Sequence, residues 1–255
     1  MILAIDIGNT NITVGCADGE HILFRERIST NQSATDLEYA SELKMAFDMH
    51  GFDKKSIDGA IISSVVPSVT LSVKRAVEKY LKVKVKLVGP GIKTGLSIAI
   101  DNPAQLGSDL VVEAVAGIKY YSLPLIIIDM GTATTFSVIG EGGEYLGSMI
   151  VPGLAVSHDS LISHAALLSK IAFEKPKRVI GRNSAESLKS GLLYGNAGAI
   201  DGLIDRACSE LGHDCTVVAT GGLVNEVIPL CKHKITIDDD LLLRGLTLIY
   251  NKNKQ

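Results

Sequence analysis

The sequence contains no tryptophan, few aromatic residues, little net charge and no long hydrophobic run. Its 25 basic and 28 acidic residues leave a formal charge of -3, so no electrostatic field favours binding to nucleic acid or to an anionic membrane. The longest apolar runs, such as LPLIIIDM at 123–130, are interrupted by charge or glycine well before the roughly 18 residues of a membrane-spanning helix. These absences predict a soluble protein without a nucleic-acid or membrane partner.

The four cysteines lack the spacing of a metal site. Cys16, Cys208, Cys215 and Cys231 form no CxxC pair and have no histidine at zinc-ligand spacing, so we expect reduced thiols and no structural zinc. The first residues, MILAIDIGNT, place Asp6 inside an apolar run and include neither a basic n-region nor a small-residue cleavage site. We therefore expect a cytoplasmic location.

The same local pattern occurs twice along the chain. ILAIDIGNTNITVG near the start predicts a buried strand ending at Asp6, a glycine turn and a second strand. LIIIDMGTATTFSVI repeats this pattern, with its buried strand ending at Asp129. A third strand is predicted after each pair, at 21–29 and at 144–152. Each half of the sequence therefore opens with a three-stranded antiparallel meander.

After each meander, helical periodicity alternates with short apolar strands. In the first half a helix over 34–50, with Leu37 on its apolar face, precedes a strand at 59–66. In the second half a long helix over 184–211 precedes a strand at 216–222. A βββαβα plan used twice predicts a duplicated α/β protein. The pattern further predicts helices at 68–81, 105–115, from 223 and at 240–250, and an edge strand at 83–89.

Both strand-turn segments have the chemistry of a phosphate site. Glycine permits close backbone approach, turn amides and Thr or Asn side chains donate to phosphate oxygens, and an aspartate can hold a cation. A single DxG is usually an ordinary turn after a strand, whereas two copies at the ends of buried strands favour a nucleotide site. Burying Asp6 and Asp129 there would be costly without cations or donors. Two facing copies would clamp one nucleotide.

A third candidate element is the segment ATGGL at 219–223, where a strand runs into Gly221 and Gly222 and then into a helix. Such a turn allows a flat adenine or ribose to lie against the backbone, with a helix N-terminus nearby. Alone the signal is weak, because paired glycines after a strand usually form only a tight connection.

Together these three segments resemble the acetate and sugar kinase, Hsp70 and actin superfamily, in which two ribonuclease-H-like halves enclose ATP. The resemblance implies an actin-like ATPase fold with duplicated ribonuclease-H-like halves at 1–118 and 119–255. A narrower resemblance, to type III pantothenate kinase, covers nearly the whole chain. It rests on the segments DIGNTNITVG, SSVVP, DNPAQLGSD, DMGTATTF, the dipeptide PG at 152–153, IGRNSAESLKSGLLYG, TGGL and LRGL.

The narrower resemblance implies ATP-dependent phosphorylation of pantothenate to 4'-phosphopantothenate, the first step of coenzyme A biosynthesis, by a homodimer. It implies ATP, magnesium and a monovalent cation, potassium or ammonium, as cofactors. By similarity, Asp6 would hold magnesium, Asp129 would ligate the monovalent cation, and Thr132 would add a phosphate contact. Gly221 and Gly222 would contact the nucleoside. The ATP phosphates would be bound by a run of eight residues, namely Asp6, Ile7, Gly8, Asn9, Thr10, Asn11, Ile12 and Thr13.

The resemblance also implies a catalytic base. The family pattern GxDR matches at Gly107, Ser108 and Asp109, and Asp109 would accept the proton of the pantothenate hydroxyl. A carboxylate suffices because phosphoryl transfer depends mostly on positioning. Without the resemblance, Asp109 would be interpreted as an acidic residue favoured at a helix start by the helix dipole. Gly107, Ser108 and Asp109, together with Ser184 of the partner subunit, would contact the substrate.

Four positions depart from the family pattern. Leu110 stands where the family has Arg, Ile100 where it usually has Tyr, Glu113 where it usually has Asn, and Ser184 where it has Thr. Glu113 lies four residues after Asp109 on the same helix face, and two nearby carboxylates tend to raise one pKa. An alternative is therefore a catalytically altered family member that acts on another hydroxyl substrate or serves as an ATP-binding regulator.

Overall fold

A computed structural model describes residues 1–254 of the chain. These residues fold into two compact units, each built around one β-sheet. Unit 2 comprises Ser97–Asp101 and Tyr120–Asp239. Unit 1 comprises Met1–Leu96, Asn102–Lys119 and residues 240–254.

Eleven strands lie within the described residues. They are β1 (Ile2–Ile7), β2 (Asn11–Asp18), β3 (His21–Ser29), β4 (Gly59–Ser64), β5 (Val85–Leu87), β6 (Ser97–Ile98), β7 (Leu125–Met130), β8 (Ala133–Ile139), β9 (Glu144–Pro152), β10 (Thr216–Gly221) and β11 (Thr236–Ile237). The third strands of both meanders, β3 and β9, have the predicted bounds.

Seven α-helices also lie within residues 1–254. They are α1 (Asp36–Met49), α2 (Pro67–Leu81), α3 (Ser108–Tyr120), α4 (Leu154–His164), α5 (Ser184–Leu211), α6 (Val224–Val227) and α7 (Leu241–Lys252). None of them combines the length and the apolar composition needed to span a bilayer. The long helix α5 has the predicted bounds, whereas α3 begins three residues later than predicted because Pro103–Gln105 forms a separate 3₁₀ turn.

The two sheets share one strand order. Unit 1 has the order β3-β2-β1-β4-β5, in which β1, β2 and β3 are antiparallel and β4 and β5 add in parallel. Unit 2 repeats this order as β9-β8-β7-β10-β11, and the short β6 adds at the β9 edge. The repeated order confirms the predicted duplicated, ribonuclease-H-like α/β fold. The lysine-bearing strand β5 lies at a sheet edge, as predicted.

Helix α1 shows how local sequence sets an element and where the prediction was wrong. Thr35 caps the helix with a capping box, since its side chain accepts from the Glu38 amide while the Glu38 carboxylate accepts from the Thr35 amide. The buried stripe of α1 includes Tyr39 and Phe47. These residues lie on one face of the helix because they are separated by two four-residue steps. Leu37 is 60% exposed rather than buried, because it lies roughly 200° around the helix from Tyr39.

Both faces of the unit 1 sheet are covered. On one face α1 and α2 close a core that contains Phe47 and Val73. On the other face Val112 of α3 and Leu246 of α7 pack against strand residues such as Ile61. Coverage on both faces explains why the residues of β1 and β4 are almost all buried.

The last helix, α7, packs in unit 1 although it follows unit 2 in the sequence. It approaches its neighbours closely at glycines: a Cβ on Gly15 would lie 2.4 Å from a Leu243 methyl, and one on Gly245 would lie 2.2 Å from the Val112 carbonyl oxygen. The apolar face of α7 requires the sheet of unit 1 as its partner. The observed division therefore differs from the predicted boundary between 118 and 119, both here and at Ser97–Asp101.

Candidate active site

The first candidate phosphate turn joins β1 to β2 in unit 1. Asp6 is half-buried near the end of β1, in register with Thr13 on β2 and with Ser63 on β4. The Gly8 amide donates to the Asn11 carbonyl at 3.0 Å and closes the turn. A Cβ on Gly8 would lie 3.1 Å from that carbonyl oxygen, so the turn is close-packed at this point.

Of the eight predicted phosphate contacts of this turn, Asp6, Gly8 and Thr13 are half-buried, and the other five form two groups. Asn9, Thr10 and Asn11 are exposed, so their side chains and amides can meet a ligand. Ile7 and Ile12 are fully buried, so only their backbone groups are available. The side chains of Ile7 and Ile12 instead anchor the turn in the core of unit 1.

Thr30, directly after β3, supports the first turn and was not predicted from the sequence. Its hydroxyl donates to the Gly8 carbonyl at 2.7 Å, and its amide donates to the Thr10 carbonyl at 3.0 Å. These bonds hold two carbonyls of the turn against the residue that follows β3. A threonine after a strand carries no signal of this role, because the contact depends on the pairing of β3 with β2.

The second candidate turn joins β7 to β8 in unit 2. Asp129 is half-buried near the end of β7, in register with Thr135 on β8 and with Thr220 on β10. The Gly131 amide donates to the Ala133 carbonyl at 3.0 Å, so this turn is tighter than the first. The predicted phosphate contact Thr132 is exposed at its tip.

The glycine of the PG dipeptide buttresses the second turn. The Gly153 amide donates to the Thr132 carbonyl at 3.2 Å. A Cβ on Gly153 would lie 2.4 Å from the Thr132 carbonyl oxygen and 2.5 Å from that of Gly131, so any side chain would displace the turn. Gly153 thus has a structural role at the candidate site that the sequence pattern alone did not assign.

The two glycines predicted to contact the nucleoside, Gly221 and Gly222, lie against the end of β7. Gly221 has φ +107°, and a Cβ there would lie 2.6 Å from the Met130 amide nitrogen and 2.7 Å from Asp129 Oδ1. The Gly222 amide donates to the Met130 carbonyl at 3.1 Å. The structure therefore brings Asp129, Gly221 and Gly222 together within unit 2, where only glycine fits at 221.

Asp109 lies in the first turn of α3 in unit 1. Burial raises the pKa of its carboxyl above the ordinary value, and the amides of Leu110 and Asp109 partly oppose this rise. The Leu110 amide donates to Oδ1 at 2.9 Å, and a Cβ on Gly107 would lie 2.4 Å from that oxygen. The carboxylate thus folds back over Gly107. A raised pKa makes it a stronger base than an exposed aspartate.

Asp6 and Asp109 lie at the same edge of the unit 1 sheet, the one formed by the carboxyl ends of β1 and β4. Asp6 on β1 is in register with Ser63 on β4, and Ser63 Oγ lies 3.0 Å from Ser108 Oγ, immediately before Asp109. Because β1 and β4 are parallel, their carboxyl ends meet at one edge. The first turn and the predicted base therefore lie in one region of unit 1, although about a hundred residues separate them in the sequence.

The remaining predicted positions are divided between the units. Leu110 and Glu113 on α3 are both buried, the latter with only 1% exposure. Ile100 is half-buried in the Ser97–Asp101 segment of unit 2. Ser184 is exposed as the first residue of α5, where the Asn183 side chain caps the helix by accepting from the Glu186 amide.

The acidic side chains fit ions shared with a ligand rather than a protein-only metal centre. Within residues 1–254 no three His, Cys, Asp or Glu side chains cluster as metal ligands. Thr135 lies opposite Asp129, and its buried hydroxyl has no hydrogen-bond partner among those residues. Hard cations prefer such oxygen ligands. Asp129 with Thr135 therefore fits a cation, and Asp6 beside the exposed residues of the turn fits an ion carried by phosphates.

Comparison with solved structures finds proteins of the same fold. A protein assigned to the Baf family of transcriptional activators from Campylobacter jejuni matches with a TM-score of 0.61 and 18% identity, covering 98% of each chain. The ethanolamine utilization protein EutJ from Carboxydothermus hydrogenoformans matches with a TM-score of 0.56 and 12% identity, covering 97% of this chain and 89% of that one. These likenesses confirm the predicted actin-like fold.

Sequence comparison identifies the family. The type III pantothenate kinase family model matches residues 2–206. A type III pantothenate kinase from Brevibacillus brevis is 42% identical over 258 residues, covering 100% of both chains. Another from Anaeromyxobacter sp. is 41% identical over 254 residues, again covering 100% of both. The chain belongs to the type III pantothenate kinase family.

Proposed function

We propose that the protein transfers the γ-phosphoryl group of ATP to the primary hydroxyl of pantothenate, giving 4'-phosphopantothenate, the first step of coenzyme A biosynthesis. Family membership supports the reaction. The observation that carries the assignment of the site is the position of Asp109, a carboxyl of raised pKa at the sheet edge where the Asp6 turn begins.

Each of the two turns is proposed as a site for phosphate oxygens of ATP. The exposed amides and side chains of Asn9, Thr10 and Asn11 offer donors to phosphate oxygens, as Thr132 does in unit 2. Asp6 would hold magnesium and Asp129 with Thr135 a monovalent cation such as potassium; when bound, these ions would neutralise phosphate charge. Fixed donors of this kind position the phosphoryl group with little rearrangement.

Asp109 is proposed as the catalytic base. Its carboxylate accepts the proton of the substrate hydroxyl as the oxygen bonds to the γ-phosphorus and the bond to ADP breaks. Burial keeps its pKa above that of a solvated aspartate, which increases its basicity. Gly107 contributes by leaving room for the carboxylate, and Ser184 remains a proposed substrate contact.

We further propose a homodimer in the cytoplasm. Several large apolar side chains of unit 2 are exposed on β9, on α4 and in the segment that precedes α5. Exposed apolar surface of this kind typically marks a protein interface. These side chains are Ile150, Val156, Leu161, Leu167, Val179 and Ile180. Analytical ultracentrifugation tests the proposal, which a monomer at micromolar concentration would contradict.

A second candidate function rests on two residues beside the base. Leu110 is apolar and Glu113 is acidic, and both are buried in α3, so this helix offers no cation to an anionic substrate near Asp109. A neutral primary alcohol would then be a better acceptor than pantothenate, whose carboxylate meets no cationic side chain of this helix near Asp109. Competition between pantothenate and its uncharged alcohol analogue pantothenol distinguishes the two acceptors.

The deciding experiment measures ADP release by the purified protein with ATP, magnesium and potassium, with and without pantothenate. Asp109→Asn is the matched control, because it keeps the shape of the side chain and removes the base. We expect pantothenate-dependent release that falls at least about 100-fold in the control. ATP binding without pantothenate-dependent turnover would contradict the proposal and favour the altered-substrate candidate or a regulator.

A further inference from the structure

A group of hydroxyls lies where β4, α2 and α3 meet in unit 1. We call the side chains of Ser63, Ser64, Thr70 and Ser108 the hydroxyl cluster. Ser63 is fully buried, and the Thr70 hydroxyl on α2 lies 2.8 Å from Ser64 Oγ and 2.9 Å from the Val66 carbonyl. The cluster therefore ties the starts of two helices to the end of one strand.

The Ser108 hydroxyl is saturated by this cluster. It donates to the Ser64 carbonyl at 3.0 Å and accepts from the Ser64 amide at 3.1 Å. Because its proton is used, Ser63 is the donor in the 3.0 Å contact between the two hydroxyls. A serine hydroxyl offers one donor and two acceptor positions, so all three are occupied. A contact from Ser108 to substrate would have to replace one of these bonds.

The direction of the Asp109 carboxylate depends on the backbone that Ser108 holds. The carboxylate bonds to the Leu110 amide and folds over Gly107, so it moves with the first turn of α3. Ser108 begins that turn and is the residue whose side chain fastens it to β4. A shift of the turn would therefore displace the carboxylate directly.

We propose that Ser108 is a positioning residue for Asp109: its hydroxyl fixes the first turn of α3 to the end of β4 and thereby holds the carboxylate at the sheet edge beside the Asp6 turn. The inference rests on the proposed function, since it matters for catalysis only if Asp109 is the base. It reassigns Ser108, which the sequence pattern had placed among the substrate contacts.

The kinetic test compares three variants of the full-length protein. Ser108→Ala removes all three bonds, Ser108→Thr retains a hydroxyl, and Thr70→Val removes a bond of the same cluster from α2. We expect Ser108→Ala to lower kcat about 10- to 100-fold, the usual cost of a small misplacement, with KM for ATP changed less than about 2-fold. Ser108→Thr restores most of the activity, and Thr70→Val retains it.

Three kinetic results would overturn the proposal. One is a normal kcat in Ser108→Ala. Another is an equal loss in Thr70→Val, which would indicate general destabilisation. The third is a rise in KM for the hydroxyl substrate alone, which would make Ser108 a substrate contact. If Ser108→Ala does not fold, Ser63→Ala removes one of the three bonds, and we expect the same change in kcat at smaller size.

A second measurement separates this proposal from the proposed function. Carboxyl ¹³C NMR follows the titration of Asp109 without substrate, and the Asp109→Asn spectrum assigns the signal against Glu113, the other carboxylate of α3. Neither β4 nor residues 67–70 contain a titratable side chain. We expect Ser108→Ala, but not Thr70→Val, to lower the Asp109 pKa as water enters. An unchanged titration refutes positioning, whereas absent pantothenate turnover in the wild type refutes only the function.

Discussion

The loop that connects the first two strands differs between the two units. In unit 1 three residues, 8–10, connect β1 to β2, whereas in unit 2 two residues, 131–132, connect β7 to β8. In both units the amide after the neighbouring parallel strand donates to the first strand: Val65 to Ile7 at 3.0 Å, and Gly222 to Met130 at 3.1 Å. The arrangement of the strands, which we call the frame, is thus duplicated, while the loops that connect its strands are not.

The parallel strands β4 and β10 show the difference most clearly. Ser64 pairs with Ile7 in unit 1, and Gly221 takes the equivalent place opposite Met130 in unit 2. The serine is tied to Thr70 and Ser108, so this strand end supports the helix that carries Asp109. The glycine leaves the strand end bare and against Asp129. The end of β4 is therefore suited to supporting the helix that carries the proposed base. The end of β10 is suited to the close approach of a ligand.

The largest effect is expected from Gly221→Ala. The residue needs φ +107°, and its Cβ would overlap backbone of Met130, so we expect a loss of about 3 kcal/mol or more in the free energy of unfolding. Urea denaturation measures this loss. Gly212→Ala is the matched control, since it has φ +82° but open space around the Cβ, and should cost only about 1 kcal/mol. Equal losses would show that the contact with β7 is unimportant.

A second pair of substitutions tests the tightness of the two turns. Gly153→Ala places a Cβ 2.4 Å from the Thr132 carbonyl oxygen, whereas Gly8→Ala places one 3.1 Å from that of Asn11. We expect the first to weaken ATP binding at least about 10-fold and the second to weaken it only a few-fold, because a small shift relieves the latter contact. Isothermal titration calorimetry measures both. The reverse order would contradict the view that the shorter turn is the more constrained.

The pH dependence of stability tests the base of unit 1. Asp109 has a pKa raised by burial, so ionising it opposes folding, and that cost disappears as the pH falls through its folded pKa. Asp109→Asn should therefore be more stable than the wild type at neutral pH, by about 1.4 kcal/mol for each unit of elevation. The advantage should vanish under acid conditions. A less stable variant at neutral pH would show that the carboxylate stabilises the fold.

The smallest effect is expected from Thr30→Val. This change keeps the shape of the side chain but removes the hydrogen bond to the Gly8 carbonyl, worth about 1 kcal/mol. KM for ATP should rise up to about 5-fold while kcat is retained, because only the first turn loosens. Steady-state kinetics measure both constants. A fall in kcat at unchanged KM would place Thr30 in the chemical step instead.

The sequence predicted the repeated frame because apolar alternation and glycine turns are local signals. The third strands and α5 were placed with their observed bounds, and the duplication followed from comparing the segments around Asp6 and Asp129. These features depend on residues close in sequence, which periodicity can detect. The predicted roles of individual ligand-binding residues remain predictions.

Contacts between distant residues could not be predicted in this way. The seating of Thr30 on the first turn depends on strand pairing, and the bond between Ser63 and Ser108 joins residues 45 positions apart. Leu37 was misplaced because apolar periodicity does not show which part of a helix lies over the sheet. The placement of α7 in unit 1 depends on which sheet face was left uncovered.

The placement of α7 has a consequence for synthesis of the chain. Ile2, Ala4 and Ile61 lie on a sheet face that is covered partly by Leu243, Leu246 and Ile249, which are translated after every residue of unit 2. The strands of unit 1 are translated before most of unit 2 and α7 is translated after it, so the part of this face that α7 covers stays exposed while unit 2 is made. Such exposure during translation favours aggregation and chaperone binding. Ribosome-bound chains that stop before residue 241 should therefore depend on chaperones in a way that the released protein does not.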